Sequence, residues 1–115
     1  MRMWMVDPVR MCSKHLRGEY HELFAIVGTL RKKRKIDGYI RNNLVEPLAL
    51  RSRYLLLKEE MLRRNFKPKA VFSFSEDLLS YLPDSHRMFK IDRNESLRIL
   101  LERCPDCRKI HAEVA

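Results

Sequence analysis

Two pairs of residues in this chain have the spacing of metal ligands. Cys12-Ser13-Lys14-His15 and Cys104-Pro105-Asp106-Cys107 each separate two ligand-type side chains by two residues. That is the half-site pattern of a tetrahedral zinc centre. Joined, they make a Cys3His set that ties the C-terminal tail to the start of the chain. The default is three reduced thiols and no cofactor, because an odd cysteine count does not make a disulfide framework. His15 also belongs to a second pattern. His15, Glu19 and Glu22 are spaced i, i+4, i+7 and share one face of a helix. Carboxylates on such a face can move protons if partly desolvated, or form a solvated acidic stripe paired with nearby cations. A third feature is Arg31-Lys32-Lys33-Arg34-Lys35. It can hold several phosphates without reading sequence, each steepening the salt dependence of duplex binding by about 0.9 in log–log slope. Its alternative is a solvated helix end.

Charge and composition frame these features. The chain has 115 residues, 24 Lys+Arg and 15 Asp+Glu, a formal net charge of +9. Residues 1–70 hold 17 basic and 7 acidic side chains, and residues 71–115 hold 7 and 8. All of the excess charge therefore lies in the first seventy residues. A polarised basic surface attracts polyanions, nucleic acid first among them. Hydrophobic residues are 45%, enough for a core and too many for a disordered chain. One domain is expected from the length. No stretch approaches the roughly 18 apolar residues of a membrane span. The N-terminus lacks a small-residue cleavage site and is not read as a signal peptide. An intracellular location follows.

The elements that must position these residues read as helical. With only 3 Gly and 5 Pro, the composition argues against a turn-rich β-sandwich or barrel. Asp7-Pro8 signals a short helix to about Leu16, with a bend at Gly18. Tyr20, Leu23, Phe24, Val27 and Leu30 then form an amphipathic stripe. The basic run ends that helix, and Asp37-Gly38 breaks it. Residues 37–46 read as a loop. Glu46-Pro47 opens a helix with Leu50, Tyr54, Leu57, Met61 and Leu62 as its stripe, stopping near Asn65. Ser75-Glu76-Asp77 starts a short helix ended by Pro83-Asp84. Asn94 caps a last long helix interrupted at Cys104-Pro105. The fold class is a compact all-α bundle in a single domain, residues 1–115.

The N-terminal third resembles a known family. Arg2, His15-Leu16, Glu19-Tyr20, Glu22-Leu23, Gly28 and Arg31-Lys32 resemble the pyrimidine-dimer DNA glycosylases, the endonuclease V family. The family pattern has an arginine next to the N-terminus, then His-Leu-x-x-Glu-Tyr-x-Glu-Leu. The resemblance is strongest over residues 1–35 and extends through the helix ending near Phe66. It implies a helical repair enzyme whose N-terminal segment threads into the site between helices. The implied reaction cleaves the glycosidic bond of a damaged nucleotide and nicks the strand by β-elimination. The implied nucleophile is the α-amine of residue one, here Met1, which forms an imine with the sugar C1′. The implied assisting glutamate is Glu22. Such chemistry is physically sound. A free α-amine has a pKa of about 7.7–8.0, so part of it is neutral near pH 7. A nearby carboxylate can stabilise cationic intermediates and carry protons.

The chain departs from the family pattern in four places. Arg2 is too bulky for removal of the initiator methionine, so Met1 is expected to be retained as the first residue. His21 stands where the family has an arginine, and Ala25 where it has a second. His21 can contact phosphate as a cation only when protonated. The family's aromatic C-terminal tail is replaced by Cys104 to Ala115.

The reading is a DNA glycosylase with AP lyase activity, using Met1 and Glu22 on pyrimidine dimers or abasic sites. The expected partner is double-stranded DNA with damaged or abasic sites, bound by a monomer, with no membrane partner, in a nucleoid-associated cytoplasmic setting. Arg2, His15, Tyr20, His21, Arg31, Lys32, Lys33 and Lys35 are the expected DNA contacts. Trp4 and Tyr20 can stack at a distorted site or simply pack in the core. The alternative is a noncatalytic nucleic-acid-binding protein of the same fold, with zinc held by Cys12, Cys104, Cys107 and His15.

Overall fold

The structure is a computed structural model that describes residues 1–114. Among these residues it contains helices and no strand. A short 3-10 turn at Pro8–Arg10 is followed by α1 (Ser13–Arg31) and α2 (Asp37–Arg41). A second 3-10 turn at Pro47–Ala49 leads into α3 (Leu50–Arg63). A third, Glu76–Leu79, precedes α4 (Asp84–Arg87), α5 (Arg93–Arg103) and α6 (Pro105–Val114).

The core forms where α1 crosses α3. Leu16, Leu23, Ile26, Val27 and Leu30 of α1 meet Leu50, Leu57 and Met61 of α3, all at most 3% exposed. Rings extend this core. Tyr54 stacks on Phe72 at 4.4 Å and on Tyr20 at 5.8 Å, and Phe24 meets Tyr54 and Phe72 edge-on. Edge and offset ring contacts of this kind add to area burial. The extended N-terminal segment is drawn in as well. Met3 is fully buried and its amide donates to the Leu44 carbonyl at 2.7 Å. The hydroxyl of Ser96 on α5 donates to the Trp4 carbonyl. Residues 1–6 are thus fixed between the α2–α3 loop and α5.

Several local expectations are overturned. α1 does not bend at Gly18. It starts at Ser13, behind a Cys12 whose sulfur accepts from the His15 amide, and runs unbroken through Gly18. Asp37-Gly38 begins α2 rather than a loop. The break falls earlier, at Lys33, which takes the left-handed conformation (φ 53°). Lys33 N–H bonds to Leu30 O and Arg34 N–H to Thr29 O, closing a Schellman-type end that needs no glycine. Asn65 (φ 67°) closes α3 in the same way, near the expected stop. Pro83-Asp84 opens α4 instead of only ending what precedes it. Asp92, not Asn94, caps α5, its carboxylate accepting from the Glu95 amide at 3.1 Å. Leu62 points to solvent, 53% exposed.

Two ion pairs, one buried and one with an exposed arginine, brace the frame. Arg53 of α3 grips Glu19 of α1 with two hydrogen bonds, 2.6 and 2.9 Å, both side chains almost fully buried. Glu46 accepts from the Ile91 amide and from Arg93, both at 2.9 Å, and so ties the start of α5 to the turn before α3.

Candidate active site

A cleft of about 750 Å³ opens at the N-terminus of the chain. Its walls come from four places: the N-terminal segment (Met1, Arg2, Trp4), α1 (His15, Glu22), the end of α2 with the loop after it (Arg41 to Leu44), and α5 (Glu95, Ile99, Arg103). His15 and Glu22 reach the same cleft because seven residues make nearly two turns of α1. Glu19 shares their side of the helix by spacing, yet it turns into the core to meet Arg53. The shared-face expectation therefore holds for the outer pair and fails for Glu19.

The N-terminal nitrogen of Met1 lies 3.9 Å from Glu22 Oε2. The Arg2 backbone amide donates to the same oxygen. A main-chain donor thus steers the carboxylate toward the amine whatever side chain stands at position 2. Glu22 is 43% exposed and Met1 20%, so both remain open to a ligand entering the cleft.

The electrostatics of the cleft favour an anion. The Arg2 guanidinium lies over the Trp4 ring at 4.2 Å. One of its terminal nitrogens is buried with no hydrogen-bond partner among the described residues. Burial, together with the Arg103 cation, pulls the Arg2 pKa below its ordinary value, against the pull of Glu22. Arg2 and Arg103 thus place two guanidiniums, close enough to repel, on the cleft wall, and guanidinium geometry suits phosphate oxygens. Trp4 is 7% exposed and also meets His15 edge-on at 5.9 Å, so it packs in the core and forms part of the cleft wall at once.

The other sequence candidates lie elsewhere. Tyr20 is a core residue, 2% exposed and stacked on Tyr54, which leaves no ring face for a base. Burial and Tyr54 raise its pKa. His21 is exposed and lines a separate groove with Arg17, Phe66 and Lys67. Arg31 is exposed and donates to the Ser73 carbonyl. Lys33 and Lys35 border another depression with Asp37 and His86, and Lys32 is exposed at the end of α1. The structure thus brings together Met1, Arg2, His15 and Glu22 and leaves the basic run outside the cleft. Sequence reasoning missed Arg41, Asn42, Asn43, Glu95, Ile99 and Arg103. Nothing in their spacing relates them to Glu22, because they arrive by tertiary packing. Asn43 is the one with a local signal: an Asn suits the left-handed conformation it adopts (φ 61°), which turns the chain toward the cleft.

Behind His15, the ligand atoms of Cys12, His15, Cys104 and Cys107 lie within 4.8 Å of one another, close enough to hold a metal ion. All three cysteines are buried and free of disulfides. Burial, with Cys12 and Cys104 alongside, pushes the Cys107 thiol up to about 12. Burial and Lys14 lower the His15 pKa.

No helix among the described residues is long and apolar enough to cross a membrane. No curated protein and no solved structure matches the chain. The sequence profile of one family does, over residues 1–74, the part that carries the N-terminal segment, α1 and α3. Those residues are nearly two thirds of the chain, and they show that it belongs to the pyrimidine dimer DNA glycosylase family.

Proposed function

We propose that this protein is a DNA glycosylase that also nicks the strand at the resulting abasic site, with the Met1 amine as nucleophile. The observation that carries the reading is the placement of that amine beside the Glu22 carboxylate in a cation-lined cleft. In the proposed reaction the neutral amine attacks the sugar C1′. The glycosidic bond breaks and its electron pair leaves with the base, which takes up a proton. Opening of the sugar ring, with a proton delivered to O4′, gives the imine. Glu22 removes a proton from C2′, the C3′–O3′ bond breaks, and the 3′ phosphate leaves with its electron pair. Water then hydrolyses the imine and frees Met1. Glu22 serves twice, as counter-charge to the cationic intermediates and as proton carrier.

Arg2 and Arg103 are the proposed phosphate contacts at the reacting nucleotide. Arg31, Lys32, Lys33 and Lys35 are proposed to hold the duplex further along. Arg31 lies nine residues beyond Glu22, about 13 Å along the helix axis. His21 and Tyr20 are not part of this proposal, because the groove of one and the burial of the other set them apart from the cleft. Incubation of untagged protein with duplexes carrying either a cyclobutane pyrimidine dimer or an abasic site tests the reading. Nicking at the lesion is the expected outcome. Salt-dependent binding with neither nicking nor lesion preference identifies a noncatalytic binder instead.

A further inference from the structure

We propose that Cys12, His15, Cys104 and Cys107 bind a structural zinc ion that fastens the C-terminal hairpin of α5 and α6 to the start of α1. The proposal does not depend on the glycosylase reading. In a tetrahedral zinc centre, bond lengths of about 2.3 Å to sulfur and 2.0–2.1 Å to nitrogen put ligand atoms about 3.8 Å apart for two sulfurs and about 3.6 Å for sulfur and nitrogen. Here Cys12 Sγ lies 3.8 Å from Cys104 Sγ. His15 Nδ1 lies 3.3 Å from Cys12 Sγ and 3.7 Å from Cys107 Sγ. Three of the six edges are thus close to those of the required tetrahedron, and none of the six exceeds 4.8 Å.

The surroundings fit thiolate ligands. The Cys12 amide points at Cys107 Sγ and the Cys107 amide at Cys104 Sγ, both at 3.3 Å. The His15 amide points at Cys12 Sγ at 3.4 Å. Donors aimed at sulfur compensate negative charge and orient the ligands, as outer-shell hydrogen bonds do in metal centres. A disulfide fits less well, since three thiols and an imidazole converge on one point and pairing two leaves the third without a role. Four protein ligands leave no open position, so the ion is structural rather than catalytic.

The site has a consequence for the cleft. Cys12 and His15 lie inside the family-matched residues, and Cys104 and Cys107 lie outside them. The ion therefore joins the family-matched residues to a segment that lies beyond the match. Arg103 precedes a ligand directly and lines the cleft, as does His15 itself. Zinc positions both.

The test is the metal content of the full chain, expressed untagged and purified without chelators, measured by mass spectrometry of the elements. The expected result is roughly one zinc per chain. Its release should require modification of the thiols or a strong chelator, and three thiols should become reactive only then. Cys104→Ser and Cys107→Ser should each lose most of the zinc. If these variants do not fold, cobalt added to metal-stripped wild-type protein is the second readout: a tetrahedral thiolate spectrum supports the site. Protein refolded in excess zinc that retains less than a tenth of an equivalent overturns the proposal. So does iron in place of zinc, or a disulfide among these cysteines in the protein as purified.

Discussion

Glu22 Oε2 receives the backbone amide of Arg2 and faces the Met1 nitrogen at 3.9 Å. One oxygen thus links the first two residues of the chain to the middle of α1. A carboxylate held by a main-chain donor does not need its own charge to stay in place. Glu22→Gln keeps an acceptor for the Arg2 amide and removes the proton carrier. It should slow single-turnover nicking by about 10²–10⁴-fold, the usual worth of a positioned acid–base group, while duplex affinity by band shift stays close to wild type. Equal losses in binding and nicking would assign Glu22 to DNA binding instead.

The cleft's cations make a separate prediction. Arg103→Ala removes one of the proposed phosphate contacts and leaves the Met1–Glu22 pair untouched. The slope of log K against log salt should flatten by about 0.9 for each phosphate lost. The same slope change is expected of Arg2→Ala, whose backbone amide still bonds to Glu22. An unchanged slope in both variants would remove these arginines from the DNA interface.

The buried pair of Glu19 and Arg53 bears on stability rather than chemistry. Removing one partner strands the other as an uncompensated charge in the α1–α3 core. Arg53→Met should cost about 3–5 kcal/mol in equilibrium denaturation, and a Glu19→Leu/Arg53→Met double variant should recover much of it. Equal stabilities of single and double variants would contradict this account of the core.

How much of this was legible in the sequence depends on whether a signal is local. The stripe of Tyr20, Leu23, Val27 and Leu30 declares α1, because burial against α3 repeats at the helical period. The end of α1 falls in the basic run, where its cations suit the helix dipole, but the geometry that closes it does not declare itself. Lys33 adopts a left-handed conformation that favours glycine, and the nearest Gly-containing break signal, Asp37-Gly38, instead starts α2. The sequence distance between Arg2 and Glu22 matters because the ordered N-terminal segment folds back onto the helix that carries Glu22. Arg103 and Glu95 carry no such mark. Their place in the cleft is set by the packing of α5 on the N-terminal segment, through contacts such as that of Ser96 with the Trp4 carbonyl. Glu19 shows the reverse failure: its spacing suits the cleft, and a partner thirty-four residues away, Arg53, pulls it into the core.

Acid should loosen the molecule at a defined place. Hydrogen bonds from Arg63, despite burial, and from Arg64 hold the Glu60 carboxyl below its ordinary pKa. Arg64 in turn donates to the Pro8 and Met11 carbonyls at 3.0 and 2.8 Å, clamping the turn before Cys12. Because the folded-state pKa is depressed, the stabilisation is complete above the ordinary glutamate range and is lost as pH falls through the folded-state value. Glu60→Gln should therefore be less stable than wild type at pH 7, with the difference shrinking on acidification. A difference independent of pH would show that the charge of Glu60 is not what matters.

Gly18 sits in the middle of α1, and a Cβ built there meets nothing within 4 Å. Gly18→Ala should raise stability by about 0.5–1 kcal/mol, through lower entropy of the unfolded chain and better helix propensity. A loss of stability in thermal denaturation would mean that the backbone at Gly18 is not helical.

The central claim is that the Met1 amine forms the covalent intermediate, and borohydride trapping on an abasic-site duplex tests it most directly. Untagged protein with a free N-terminus should give a stable protein–DNA adduct, and peptide mapping should place the link at Met1. Protein acetylated at its N-terminus should give none while still binding the duplex. An adduct that forms equally well with the blocked protein, or one that maps to a lysine, would contradict the account.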